Sequence, residues 1–180
     1  MIQIIEGCKI NDRKCQEKLY MKMYEMLFSL CRRFFDDNHD ILSAINNGML
    51  RVFKNIDQYN ASQSELSTWV YAIVRNEALT LLRNQKSLKK MYEITVDLND
   101  EMLINPFVQS AEEDLIHYLG SLKHVTRAVC TLFYAEGYTI KEIASAIDMK
   151  EGTVKWHLHE GRKKLQEIVL NKGIEVAKVG

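Results

Sequence analysis

The sequence is short of the residues that break helices, with one proline and eight glycines in 180 residues. That scarcity excludes collagen-like and proline–glycine-rich chains, and a hydrophobic content of 47% excludes a chain too polar to bury a core. Long apolar runs are also missing. The longest stretches free of Asp, Glu, Lys and Arg, residues 41–50 and 102–111, fall well short of the ~20 apolar residues that span a bilayer, so no membrane insertion is expected. The first residues, MIQIIEGCKI, lack the basic start and apolar run of a secretory signal, and a cytoplasmic protein is expected.

Paired cysteines are absent too. Cys8, Cys15, Cys31 and Cys130 form no CxxC motif and are expected to act as small buried hydrophobes. No HExxH, glycine-rich phosphate loop or GxSxG occurs, and His39, His117 and His124 have no Cys or acidic partner at ligand spacing. His157 and His159, two apart on a helix, project about 200° apart and cannot share one ion. No metal, cofactor or catalytic residue is expected, and the chain is not read as an enzyme.

A surplus of either charge is likewise lacking: 24 basic and 24 acidic residues cancel. Taken globally, that balance argues against a nucleic-acid partner. Along the chain it comes apart. Residues 75–90 hold Arg75, Arg83, Lys86, Lys89 and Lys90 against Glu77 alone, a net +4. Residues 91–121 hold Glu93, Asp97, Asp100, Glu101, Glu112, Glu113 and Asp114 with no Lys or Arg, a net −7. The stretch after them carries +3 and the stretch before residue 75 carries none. Neutrality is therefore a cancellation between segments.

The acidic stretch also holds Pro106, the only proline, and its first half has no sustained period, which marks a domain boundary. On both sides the hydrophobic period is helical. Leu19, Met23, Met26, Leu27, Leu30 and Phe34 recur at three and four, as do Leu42, Ile45, Met49, Val52 and Ile56. Strand-type alternation is nowhere sustained. The expected fold is all-α: two helical domains on a flexible acidic linker, spanning residues 1–92, 93–111 and 112–180.

A further helix is predicted over residues 65–90, burying Leu66, Trp69, Val70, Ile73, Val74, Ala78, Leu81 and Leu82. At about 100° per residue, Asn76, Thr80, Arg83, Ser87 and Lys90 then share a stripe away from that side. Such a stripe is either an ordinary solvated face or a surface for DNA. The loop before it, QYNASQS at residues 58–64, is polar with Tyr59 at its edge; it is an ordinary connection or a holder for an unstacked base.

The C-terminal part is more specific. Val125, Ala128, Val129, Leu132 and Phe133 give a helix closed at Glu136 and Gly137, where glycine can supply a left-handed cap. Thr139 and Glu142 in TIKE fit a capping box and open a helix with Ile140, Ile143, Ala144 and Ile147 inside. A short turn at residues 148–150 leads to a longer basic helix with Val154, Leu158, Gly161, Leu165 and Ile168 inward. Together these make a helix-turn-helix. Trp156, His159 and Lys163 point away from Val154 and are flanked by Lys155, Glu160 and Arg162, which gives the face for reading duplex DNA. Alternatively, an exposed Trp156 packs on a protein partner.

Three stretches then carry a resemblance: LRVFKNIDQY at residues 50–59, STWVYAIVRNEALTLLR at 67–83, and YTIKEIASAIDMKEGTVKWHLHEGRKKL at 138–165. In that order and spacing the chain resembles a bacterial RNA polymerase sigma factor of the sigma-70 family, extracytoplasmic function group. The resemblance implies a first domain (1–92) that binds core RNA polymerase and melts the minus-ten promoter element. It implies a second domain (112–180) that binds the minus-thirty-five element as duplex, with 93–111 as the linker. Carried over by position, Asp40, Ser43, Asn46, Asn47 and Arg51 fall in the polymerase-binding helix, where only Asp40 is still acidic. Tyr59, Asn60, Trp69, Arg75, Asn76, Thr80 and Arg83 fall on the minus-ten strand. Thr153, Lys155, Trp156, His157, His159, Arg162 and Lys163 fall on the minus-thirty-five duplex.

The implied partners are core RNA polymerase, promoter DNA and, as for many members of the family, an anti-sigma factor. The free chain is expected to be a monomer. Two other functions fit the same helices: a helix-turn-helix regulator that makes no polymerase contact, and a helical adaptor that binds protein.

Overall fold

A computed structural model describes residues 1–84 and 118–178, with side chains described to Ile168. The acidic connector with Pro106, and Lys86, Ser87, Lys89 and Lys90 of the basic patch, lie outside the described residues. The chain divides into two compact units, Met1–Leu82 and Arg83–Gly180. Every described element is helical, with no strand among the described residues.

In the first unit α1 (Ile2–Lys9) turns through Asn11, at φ 60°, into α2 (Arg13–Arg32). Asp12 starts α2 by accepting from the backbone N–H groups of Lys14 and Cys15, and Asp37 starts α3 (Asn38–Lys54) by accepting from His39 N–H. Each such cap satisfies donors the helix cannot satisfy itself, typically worth ~1 kcal/mol. A 3₁₀ turn, Ile56–Gln58, and the polar loop lead to α4 (Leu66–Asn84). α1, which no hydrophobic period announced, buries Ile5 and Cys8 against α2 and the 3₁₀ turn.

Leu19, Leu27, Phe34, Ile41, Ile45, Val52, Val70, Val74 and Leu82 are buried at the centre of this unit. Burial stabilises each by roughly 1.5–3 kcal/mol, so the shared core outweighs any single cap. α3 and α4 approach closely at Gly48, where a Cβ would lie 2.9 Å from Val74 Cα. Two details differ from the periodicity. Leu42 is exposed, because α3 centres its inner face on Ile41, Ala44, Ile45 and Gly48 and leaves Leu42 at the edge. On α4, Leu79 is buried, whereas Trp69, Ile73 and Leu81 are only half-buried.

In the second unit α5 (His124–Cys130) widens into a π-helical turn, Thr131–Ala135. Gly137 at φ +72° then reverses the chain, a conformation that L side chains rarely adopt. Thr139 and Glu142 form the expected capping box of α6 (Ile140–Ala146), which lowers the Glu142 pKa through hydrogen bonds from the Thr139 N–H and hydroxyl. Asp148 at φ 55° makes the turn into α7 (Glu151–Lys178). Buried Arg127 gathers the chain entering this unit: its Nε donates to Leu119 O and its Nη2 to Gly120 O and Leu122 O. Arginine offers five donors and no acceptor, which suits these three carbonyls.

Candidate nucleic-acid interface

α6, the Asp148 turn and α7 form the helix-turn-helix, with Ile143, Ala144, Ile147, Met149, Val154, Leu158 and Leu165 as its apolar seam. The first residues of α7 are held in phase by that seam. As a result Lys155 and Trp156 are half-buried, His159 and Lys163 exposed, and Arg162 half-buried beside Tyr134. Lys155, Trp156, His159 and Lys163 form one outward surface of cations, an imidazole and an indole, whereas the Nε of Arg162 is buried on the Tyr134 side.

Thr153 and His157 do not join it. Both are fully buried, at 0% exposure, and their expected place on the DNA face is corrected by the packing. His157 turns toward α5, where its Nδ1 lies 2.9 Å from Thr126 Oγ1. Burial holds its pKa down to about 4, so the ring is neutral and serves the core. The family resemblance put both residues at the DNA by position, whereas the register of α7 turns them inward.

In the first unit the proposed strand-binding residues fall into two groups on α4 and its loop. Tyr59 and Trp69 pack with ring centroids 5.5 Å apart, and the Tyr59 hydroxyl donates to Ser64 O at 3.0 Å. Asn60 Oδ1 accepts from the Ser62 N–H and hydroxyl, so this side chain shapes the loop. Further along, Asn76 and Arg83 are exposed, with Thr80 half-buried and donating its hydroxyl to Asn76 O at 2.9 Å. Arg75 is half-buried. Trp69 and Arg83 are separated by roughly 21 Å of helix, given a 1.5 Å rise per residue.

Under the loop lies a cavity of about 490 Å³ between α2 and the start of α4. Lys22 lines it, a residue sequence reasoning did not single out, because its nearness to the loop depends on how α2 packs in three dimensions. The other face of this unit is α3. Asn46, Asn47 and Arg51 are exposed there and Asp40 and Ser43 half-buried, with Leu42 and Leu50 standing out among them at 38% and 56% exposure. Among these residues, Asn46 Oδ1 accepts from the Tyr20 hydroxyl at 2.9 Å, Arg51 Nε lies 3.1 Å from Glu77 Oε2 on α4, and Asp40 Oδ1 lies 3.9 Å from His39 Nδ1.

Two helical units, the second a helix-turn-helix with a cationic outer face, define a DNA-binding protein. The sigma-70 region 2 family model matches residues 19–88 and the sigma-70 region 4 family model residues 112–165, together well over half of the chain. The chain belongs to the sigma-70 family, in its extracytoplasmic function group. It is 26% identical over 168 residues to the extracytoplasmic function sigma factor SigE of Mycolicibacterium smegmatis, covering 89% of this chain and 64% of SigE. It is 25% identical to SigX of Bacillus subtilis, covering 82% of this chain and 78% of SigX. Among solved structures it aligns with the sigma factor RpoE in complex with the anti-sigma factor NepR from Bartonella quintana, at TM-score 0.45 and 16% identity, over 85% of this chain and 95% of that one. Sigma factors are initiation factors and not enzymes. No described helix is long and apolar enough to cross a membrane.

Proposed function

We infer that the chain is a promoter-specificity subunit. It associates with core RNA polymerase in the cytoplasm and directs initiation at promoters carrying its minus-ten and minus-thirty-five elements. The observation that carries this is the order of the two matched regions on one chain, each ending in a helix with a polar, cationic face. Residues 1–92 serve as the polymerase-binding and strand-capturing domain, 93–111 as linker and 112–180 as the duplex-binding domain.

In this reading the loop and α4 hold the separated strand. Melting costs on the order of 1.4 kcal/mol per stacking step, so extruded bases need new contacts, which Tyr59, Asn60, Trp69, Asn76, Thr80 and Arg83 supply with Arg75 behind them. Lys155, Trp156, His159, Arg162 and Lys163 meet the duplex. Asp40, Ser43, Asn46, Asn47 and Arg51 lie on the polymerase side. An anti-sigma factor covering these surfaces is the natural form of control, and the free chain is a monomer.

The net charge of zero leaves the free protein little field of its own with which to hold DNA, so tight promoter contact depends on polymerase. The test is transcription by purified core enzyme on genomic fragments, with and without this protein. New start sites and co-elution with core enzyme are expected. Their joint absence would overturn the reading and leave a helix-turn-helix regulator or a protein adaptor.

A further inference from the structure

We propose that Arg51 is a positioning residue for strand capture: it holds the Glu77 carboxylate in the seam between α3 and α4, and so keeps the one acidic side chain of the basic stretch away from the bound strand. This rests on the reading of α4 as the strand-capturing helix and goes on to name a residue that acts on that helix from α3.

The two helices approach most closely where Gly48 meets Val74, with no side chain on α3 to hold them apart. Three residues further along each helix, Arg51 Nε lies 3.1 Å from Glu77 Oε2. Both contacts therefore follow one seam. The partners differ in exposure: the Arg51 side chain is 60% exposed and that of Glu77 only 14%. Glu77 Oε2 is itself buried and has no hydrogen-bond partner among the described residues, so the guanidinium is what offsets its charge. An ion pair between two exposed side chains contributes little, but a carboxylate oxygen withdrawn from water depends on its counter-ion.

Of the six charged residues between positions 75 and 90, Glu77 alone is acidic. It stands on the flank of the stripe that carries Asn76, Thr80 and Arg83, one helical turn from Thr80. A strand lying on that stripe brings phosphates, and a free carboxylate there would repel any that came within the screening length of ~8–10 Å at physiological salt. Without Arg51 the desolvated oxygen turns toward water. On α4 that direction is toward exposed Asn76 and half-buried Thr80, because Val74 and Ala78 on the other flank are completely buried. The ion pair thus removes a repulsion from the strand surface without placing Arg51 on the strand.

The test uses holoenzyme assembled from core polymerase and the full chain, on a promoter fragment opened beforehand as a mismatched bubble over the minus-ten region. Arg51→Met should weaken binding to this fragment about fivefold at physiological salt, the effect of one uncompensated charge near a phosphate. The deficit should shrink as salt rises, whereas a mispacked α4 would cost the same factor at every salt concentration. Adding Glu77→Gln to Arg51→Met should restore binding. Adding Glu25→Gln, which removes an equal charge from an exposed position on α2, should not. Glu77→Gln alone needs no counter-ion and should bind the fragment at least as tightly as the unaltered protein. Weaker binding by Glu77→Gln overturns the proposal and leaves the sigma reading intact. So does an Arg51→Met deficit that survives Glu77→Gln, that Glu25→Gln repairs equally, or that salt leaves unchanged; Arg51 would then act by direct contact or by packing. If the unaltered protein forms no holoenzyme on the fragment, the sigma reading itself falls, and this proposal with it.

Discussion

Thr126 Oγ1 and His157 Nδ1 lie 2.9 Å apart inside the helix-turn-helix unit, joining α5 to the inner side of α7. The other ring nitrogen, Nε2, is buried without a hydrogen-bond partner. Protonation would put a charge and an unpaired donor into the core together, and burial accordingly keeps the His157 pKa at about 4.

The stability of this unit should therefore fall in mild acid. With a folded pKa near 4 and an ordinary value of 6.5, the unfolded chain takes up a proton that the folded chain refuses throughout that interval. The contribution is whole above pH 6.5 and is lost as pH drops toward 4, to a limit of ~3 kcal/mol. Thermal unfolding followed by circular dichroism between pH 7 and 4.5 should show this decline. The double substitution Thr126→Val with His157→Leu, which replaces both partners by apolar groups, should flatten it.

Gly48→Ala should destabilise the first unit by about 1–3 kcal/mol. Alanine is the better helix former by ~1 kcal/mol, so the outcome depends on which effect is larger. The added Cβ would sit 2.7 Å from Val74 Cγ2 and 2.9 Å from Val74 Cα. The second of these is backbone and cannot rotate away, so overpacking wins. Val74→Ala in the same chain should recover only part of the loss in a denaturant titration, because Cα stays where it was.

Much of the fold could be read from single positions. Thr139, Glu142 and Gly137 each act locally, through a cap or a left-handed turn, and local chemistry is visible in a linear string. The apolar periods of α2 and α7 likewise reflect one helix facing one core. What escaped depends on contacts between distant residues. Thr153 and His157 are polar yet face inward, because the register of α7 is set by Val154 and Leu158 on the same side and His157 finds Thr126 thirty-one residues away. Lys22 joins the loop cavity only once α2 and α4 have packed, and α1 is too short at eight residues to show a period. The outer side of α7 was therefore legible, whereas the α2 wall of the cavity was not.

A second close approach gives a coupled pair in the other unit. A Cβ at Gly161 would run into Cys130 Sγ and lie 3.2 Å from Thr126 Cγ2, and the Cys130 thiol, its pKa pushed up to about 12 by burial, is an uncharged packing group. Gly161→Ala alone should cost about 1–3 kcal/mol through overpacking. Cys130→Ala removes the sulfur that stands in the way. In a double-mutant cycle the pair should couple by at least ~1 kcal/mol, with the double variant more stable than Gly161→Ala alone. Additive losses would mean that α5 and α7 move apart to admit the methyl group.

Salt dependence should separate the residues on the outer side of α7 by the kind of contact each makes. Log affinity of the holoenzyme for a promoter fragment falls with log salt by about 0.9 for each phosphate neutralised, so Lys163→Ala should reduce that slope by about 1. Trp156→Ala removes apolar and stacking contact but displaces no counterion, so affinity should drop at every salt concentration along a line parallel to that of the unaltered protein. The Thr126→Val, His157→Leu double variant, altered only in the interior, should match the unaltered protein in both slope and height at pH 7. A changed slope for that variant would put His157 at the DNA after all, against its complete burial. An unchanged slope for Lys163→Ala would place this cation on some other partner.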